Sequence, residues 1–263
     1  MRARVLAGLA LLLGPAVFFG PHLLAADGSS QSGFGDQGVL IGAVKKGFVE
    51  YWGAGSADYS PAMGSVVDYW FRFHVAKAVI SSAWLVVLVA LGVVVWRGFV
   101  RGDGVRRAWL AVAGAGITVG GLFSLVVALA NVQGAVAPFT SALTMLPVGQ
   151  RGGALGGTLA QVREGLAGDP ASAPPALGVM IDDNVRYHVT MAVVAGVATL
   201  AFVVVSVVLW RRFAGTGDRR ARTVLAGFGA LCVVLALAMA VVGVANVSVA
   251  EHSARGLSDF FQA

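Results

Sequence analysis

The chain has 263 residues, of which 57% are hydrophobic and only 12% are charged, and its mean hydropathy is +0.81. Soluble domains carry about 25% charged residues, so these values exclude an ordinary soluble protein and predict a membrane protein. The single cysteine, Cys232, excludes an intramolecular disulfide.

Five apolar runs reach the roughly 20 residues that a membrane-spanning helix needs. In chain order they are Val5–Ala26, His74–Trp96, Ala108–Ala130, Tyr187–Trp210 and Val224–Asn246.

The first run, within residues 1–30, has features of two kinds of segment. Two arginines precede it and Leu24-Ala25-Ala26 resembles a signal-peptide cleavage site. The run is nevertheless longer than the roughly 7–15 apolar residues of a signal-peptide core, although Gly14-Pro15 and Gly20-Pro21 are expected to kink it. A retained anchor helix is therefore favoured over a cleaved signal peptide.

Basic residues concentrate before the first run and in the two turns that follow the second and fourth runs. These segments carry eleven basic and two acidic residues, a net charge of +9, and the remaining segments carry eight basic and eleven acidic residues, a net charge of −3. The positive-inside rule then predicts a plasma-membrane protein with a cytoplasmic N-terminus and an extracytoplasmic C-terminus. This topology accounts for the basic pI, so the lipid bilayer is the predicted contact and nucleic acid is not.

An eight-residue pattern occurs twice, as DYWFRFHV at 68–75 and as DDNVRYHV at 182–189. The similarity extends in both directions and divides the chain into repeat units 38–147 and 152–263. Each unit is predicted to contain an outer amphipathic helix, a membrane hairpin and a second outer helix. Both hairpins start on the outer side, so the repeats are parallel. The predicted fold is an all-α polytopic membrane protein with five transmembrane helices, a tandem repeat of a helical hairpin, and extracytoplasmic amphipathic helices.

The repeated motif supplies the candidate site residues. Acidic and basic residues four apart share one side of a helix and are expected to pair, and the arginines are also candidates for binding an anion or a partner. The two histidines have two interpretations: they converge on a haem or a metal, or each bonds to its neighbours in a structural role, which is favoured. The six residues are Asp68, Arg72, His74, Asp182, Arg186 and His188.

Three further features bear on function. Asn131 and Asn246 are expected to cap the ends of the outgoing helices, and the glycine-rich stretch 152–157 is expected to be a flexible loop. Lys77 is the one charged residue within the predicted spans and can extend toward the interface. The sequence contains no nucleophile elbow, phosphate-binding loop or zinc-protease motif, which favours a non-enzymatic role.

The segments FRFHVAKAVI and ANVQGAVAPF resemble parts of an uncharacterised family of high-GC actinobacterial multi-pass membrane proteins, a resemblance that implies no catalytic residue. The predicted function is a scaffold or accessory subunit that binds a protein partner, or a second copy, through its extracytoplasmic side. One alternative is a redox protein that holds haem or a metal through His74 and His188. The other is a small transporter or lipid-binding protein, for which Ser81, Ser82, Thr118 and Ser124 are the lining candidates.

Overall fold

A computed structural model describes residues 2–26, 33–168 and 173–263 of the chain. All regular secondary structure in these ranges is helical. The helices are α1 (Arg2–Ala25), α2 (Gln37–Ala54), α3 (Pro61–Arg101), α4 (Gly104–Val136), α5 (Pro138–Leu143), α6 (Gly153–Ala167), α7 (Pro175–Gly215), α8 (Arg219–Glu251) and α9 (Ser253–Gln262).

Five of these helices, namely α1, α3, α4, α7 and α8, are long and apolar enough to cross a bilayer. The prediction of an all-helical chain with five candidate membrane spans is confirmed, and the chain is built as a multi-pass membrane protein. α3 and α7 have 41 residues each, and α4 and α8 have 33 each. A 41-residue helix is about 60 Å long, roughly twice the thickness of the hydrocarbon core, so much of each long helix lies outside the hydrocarbon.

Two local predictions need correction or refinement. The stretch 152–157 is not a loop, because from Gly153 onward it forms the first turns of α6. Leu155 and Leu159 are buried there, and this packing outweighs the low helix propensity of glycine. The first apolar run forms one uninterrupted helix, α1, that continues through both of its prolines.

The chain divides into two compact units. The span unit comprises the described residues of Met1–Phe18, Lys77–Ala130 and Met191–Val244. The head unit comprises the described residues of Phe19–Ala76, Asn131–Thr190 and Ala245–Ala263.

The span unit directs aliphatic side chains outward along its helices. Leu12, Val119 and Leu237 have exposed fractions of 69%, 66% and 64%. Such a large apolar surface is unfavourable in water and suits contact with lipid chains. The buried hydroxyls of this unit instead bond to backbone carbonyls, as in the 2.6 Å hydrogen bond from Ser124 Oγ to the carbonyl of Ser81.

Rings packed against glycines hold the hairpins of the span unit together. A Cβ atom at Gly114 of α4 would lie 2.8 Å from Cε2 of Trp96 on α3, and one at Gly229 of α8 would lie 3.0 Å from Nε1 of Trp210 on α7. The absence of a side chain lets each indole ring reach the neighbouring helix, as small residues do in membrane helix packing.

α1 packs against the first hairpin of the span unit. The indole N–H of Trp84 donates to the carbonyl of Ala10 at 3.0 Å, and the rings of Phe18 and Phe123 stack with centroids 6.2 Å apart. Trp84 belongs to α3 and Phe123 belongs to α4, so α1 packs on the hairpin that follows it in the sequence.

The head unit has a conventional hydrophobic core, to which its helices from both halves of the sequence contribute. Phe48 of α2 stacks on Phe261 of α9 with centroids 6.3 Å apart. The indole N–H of Trp52 on α2 donates to Gln161 Oε1 on α6 at 2.9 Å. Fully buried members of this core also include Val44, Met63, Tyr69, Phe139, Leu159 and Met180.

We expect Gly114→Ala to destabilise the span unit, because the added methyl group would force the Trp96 ring away from α4. Overpacking of this kind costs typically 1–3 kcal/mol. The matched control is Gly116→Ala on the same helix, where a Cβ meets nothing within 4 Å and alanine should be neutral or mildly stabilising. Thermal unfolding of the detergent-solubilised variants measures both, and equal melting temperatures would contradict the packing argument.

Candidate functional site

The repeated motif lies in the head unit, where α3 carries His74 and α7 carries His188. Each histidine bonds to an asparagine of the next long helix. His74 Nδ1 lies 2.7 Å from Asn131 Oδ1, and His188 Nδ1 lies 2.8 Å from Asn246 Oδ1. The same contact therefore closes α3 on α4 and α7 on α8.

The predicted capping role of the two asparagines is wrong. α4 continues past Asn131 to Val136, and α8 continues past Asn246 to Glu251. Because neither helix ends at its asparagine, the side-chain oxygen is used between helices, as the acceptor for a histidine, and not at a helix terminus.

His74 is enclosed on all sides. Its exposed fraction is 8%, and its Nε2 lies 3.0 Å from the hydroxyl of Ser141 on α5. That hydroxyl also accepts the indole N–H of Trp70 at 3.1 Å. A Cβ atom at Gly134 would lie 2.5 Å from Nε2, so only glycine fits beside this ring.

The directions of these bonds form a consistent chain. The amide oxygen of Asn131 can only accept, so Nδ1 of His74 carries the proton and donates it. In the neutral ring, Nε2 then holds the lone pair and accepts the hydroxyl of Ser141, which in turn accepts the N–H of Trp70. Both ring nitrogens are thus used by the protein, and a haem iron or metal would have to displace Ser141 to reach the lone pair.

His188 is held less completely. It is half-buried, and among the described residues its hydrogen bond is the one from Nδ1 to Asn246. Four residues before it, Asn184 donates from Nδ2 to Ser253 Oγ on α9 at 2.9 Å. Trp70 stands four residues before His74 and likewise donates to a serine of the following short helix. The serine of the second half bonds to the preceding turn of α7, through the carbonyl of Ile181 at 3.2 Å.

The structure brings each histidine to the asparagine of its own hairpin. Within the described parts of the chain, no group of three or more histidine, cysteine, aspartate or glutamate side chains is arranged to hold a metal ion. Convergence of His74 and His188 on one ligand therefore stays a prediction.

The charged members of the motif lie nearer the surface. Asp68, Asp182 and Arg186 are exposed, and Arg72 is half-buried. Elsewhere in the described chain, Lys46 pairs with Glu50 and Arg220 pairs with Asp103.

Asp183 is a buried carboxylate of the head unit, and no pattern in the sequence pointed to it. Its exposed fraction is 7%, and its Oδ2 accepts the backbone N–H of Thr140 at 2.7 Å. α5 begins at Pro138 and its N-cap residue, Ala137, offers no side-chain hydrogen bond. Asp183 of α7 therefore satisfies one of the first-turn donors that a helix leaves unpaired, and it does so from another helix.

Asp183 also influences the tyrosines packed around α5. Burial, together with the negative charges of Asp183 and Asp58, raises the pKa of Tyr51 to about 12. Burial and the charge of Asp183 likewise raise the pKa of Tyr59, against the opposing charge of Arg186. Both hydroxyls stay protonated at physiological pH, and that of Tyr51 donates to the carbonyl of Ala176 at 3.3 Å. Neither tyrosine is a general base.

The lining residues expected for a transporter are mostly satisfied within the span unit. Ser81 and Ser124 are fully buried, and the Ser81 hydroxyl donates to the carbonyl of Lys77 at 2.6 Å. Thr118 donates to the carbonyl of Gly114 at 2.8 Å. These hydroxyls bond to backbone carbonyls, which leaves Ser82 as the exposed member of the set.

No family model, curated protein or solved structure matches this chain significantly. The geometry of the chain itself therefore carries the functional argument.

We expect Asn131→Ala to destabilise the protein more than Asn246→Ala. Removing Asn131 leaves the buried Nδ1 of His74 without its acceptor, and an unsatisfied buried polar group costs about 1–3 kcal/mol. Water can replace Asn246 beside the half-buried His188, so the second variant should lose less. Thermal unfolding of both proteins tests this order, and the reverse order would show that the two contacts are not ranked by burial.

Replacement of Asp183 by alanine should also lower stability, because the first turn of α5 loses its charged acceptor. Hydrogen bonds to charged groups contribute about 1.5–3 kcal/mol. Asp182→Ala removes the same charge from an exposed neighbour and is expected to change the melting temperature little. Equal losses in the two variants would point to net charge as the cause and contradict the capping role.

Proposed function

We propose that this chain is a plasma-membrane scaffold or accessory subunit, whose head unit binds a protein partner or a second copy of the chain. One observation carries the proposal: His74 of the repeated motif and the buried carboxylate of Asp183, two groups that could carry chemistry, are used to join helices. His74 bonds through both ring nitrogens, and Asp183 bonds to the start of α5. A head unit whose histidine and buried carboxylate are already bonded within the protein suits a binding role better than catalysis.

We also propose that the chain is a tandem, parallel duplication of one helical unit. Contacts at matching positions support it, because partners in the first half reappear about 114 or 115 residues later in the second. The histidine–asparagine bonds and the tryptophan–glycine contacts are two such sets. In a third, Arg107 lies 4.9 Å from the ring centroid of Phe99 and Arg222 lies 4.5 Å from that of Phe213.

The proposed topology places the N-terminus and the two arginine-rich turns in the cytoplasm, and the head unit outside. The distribution of charge between the segments supports this orientation. The contacts of α1 with Trp84 and Phe123 support retention of the first helix as an anchor, because cleavage after it would remove packing that the first hairpin uses.

The single cysteine makes the orientation testable. Cys232 is buried in α8 and should resist a membrane-impermeant maleimide. Ala57→Cys in the head unit and Gly217→Cys in the second arginine-rich turn both replace exposed residues. We expect Ala57→Cys to react in intact cells and Gly217→Cys to react only after permeabilisation. The opposite pattern would invert the proposed topology.

The binding role is tested with a photo-crosslinking amino acid placed at exposed positions of the head unit, Val39 and Lys46. The control is Val119, an exposed position of the span unit that should contact lipid. We expect a discrete protein adduct from the head positions and none from Val119. An adduct of twice the chain mass would identify a second copy. Absence of any protein adduct from the head positions would contradict the scaffold proposal.

An absorption spectrum and a metal analysis of the gently extracted protein separate this proposal from the redox alternative. A scaffold should be colourless and free of metal. A Soret band that disappears in both His74→Ala and His188→Ala would overturn the structural role of the two histidines and establish a haem protein.

A further inference from the structure

The two arginine-rich turns of the span unit lie against each other. Arg220, which follows the α7–α8 turn, donates from Nη1 to Asp103 Oδ1 at 2.9 Å and to the carbonyl of Gly102 at 3.2 Å. Both acceptors belong to the α3–α4 turn. The ring of Trp96 on α3 also contacts that of Phe228 on α8, with centroids 5.4 Å apart. The basic residues of the two turns therefore belong to one surface.

We call this the arginine surface, and its charge is strongly positive. Nine arginines and two aspartates give it a net charge of +7. Both aspartates are used within the turns, since Asp103 bonds to Arg220 and Asp218 Oδ1 accepts the backbone N–H of Arg220 at 3.0 Å. The arginines are Arg97, Arg101, Arg106, Arg107, Arg211, Arg212, Arg219, Arg220 and Arg222.

Three of these arginines organise the surface, and six are open to a ligand. Arg220 joins the turns, while Arg107 and Arg222 stack on phenylalanine rings. The guanidinium groups of the others are exposed and have no ion pair or hydrogen bond among the described residues. Six like charges held on adjoining turns repel one another, so an anion that neutralises several at once is favoured.

The surroundings of the arginine surface identify the source of the anion. The same helices carry outward-facing valines and leucines, and Trp109 and Trp210 beside the turns have exposed fractions of 70% and 41%. Exposed tryptophans mark the depth of lipid headgroups, and clustered basic residues there attract anionic lipid. Each planar guanidinium can also bind two oxygens of one phosphate.

We propose that the arginine surface binds the phosphate groups of anionic phospholipids, with several headgroups held across the two turns. The proposal rests on the insertion of the span unit in a bilayer but not on the scaffold role of the head unit. It also does not depend on which side of the membrane the turns face. Bound headgroups would neutralise the repulsion between the turns and hold the two hairpins in register.

The test uses the full chain reconstituted in mixed bilayers and its own tryptophans as the probe. Brominated phosphatidylcholine quenches tryptophan fluorescence, and unlabelled phosphatidylglycerol that displaces it from the protein restores the signal. The affinity for phosphatidylglycerol relative to phosphatidylcholine should be well above one. It should fall about fivefold for each arginine neutralised, and so most of the selectivity should be lost in the Arg211→Gln/Arg212→Gln double variant.

The matched control is Arg151→Gln/Arg255→Gln, which removes the same charge from exposed positions of the head unit and should keep the selectivity. An equal loss in the control, or no selectivity in the unaltered chain, would overturn the proposal. Free phosphate at constant ionic strength should leave the ratio unchanged. A loss of selectivity with phosphate alone would replace the lipid by a soluble phosphate ligand. A chain that fails to enter the bilayer at all would instead contradict the membrane assignment.

Discussion

Each long helix must suit two solvents along one continuous backbone. α3 has 41 residues and is about 60 Å long, whereas the hydrocarbon core is roughly 30 Å thick. Its part in the span unit turns Val86 and Val89 outward, and its part in the head unit buries Met63 and Tyr69. Apolar side chains thus face outward in the span unit and inward in the head unit, and the contacts within each unit follow from the solvent that surrounds it.

Within hydrocarbon, the burial of aliphatic groups gives little preference for one neighbouring helix over another. The span unit therefore depends on shape, as where Trp96 packs on Gly114, and on hydroxyl bonds to carbonyls. The head unit gains from burial in the ordinary way, but its polar groups are enclosed with the apolar ones and must be bonded. The histidines of the motif meet this requirement through asparagine, and for His74 also through Ser141.

Composition and the lengths of the apolar runs were enough to predict five spans and an all-helical chain, because the energetic signal of lipid burial is summed over about 20 residues. The motif also pointed to His74 and His188. The capping role predicted for Asn131 and Asn246 was wrong, since a polar residue alone does not locate a helix end when the helix continues past the apolar run. Asp183 was not predicted, because the matching position of the first repeat is Tyr69 and not an acidic residue. Its role depends on the first turn of α5, which lies beside it only in the folded protein.

The pairing of Phe48 with Phe261 and of Trp52 with Gln161 has a consequence for biosynthesis. A ribosome completes α1, α3 and α4 early, and these elements can associate in the bilayer while the rest of the chain is still being made. The head core joins α2 with α6 and α9, which are translated much later. The apolar side of α2 therefore stays uncovered until those helices have been made. Segments in that state are natural clients for chaperones, and the surface of the head unit is complete only after both halves of the chain have been made.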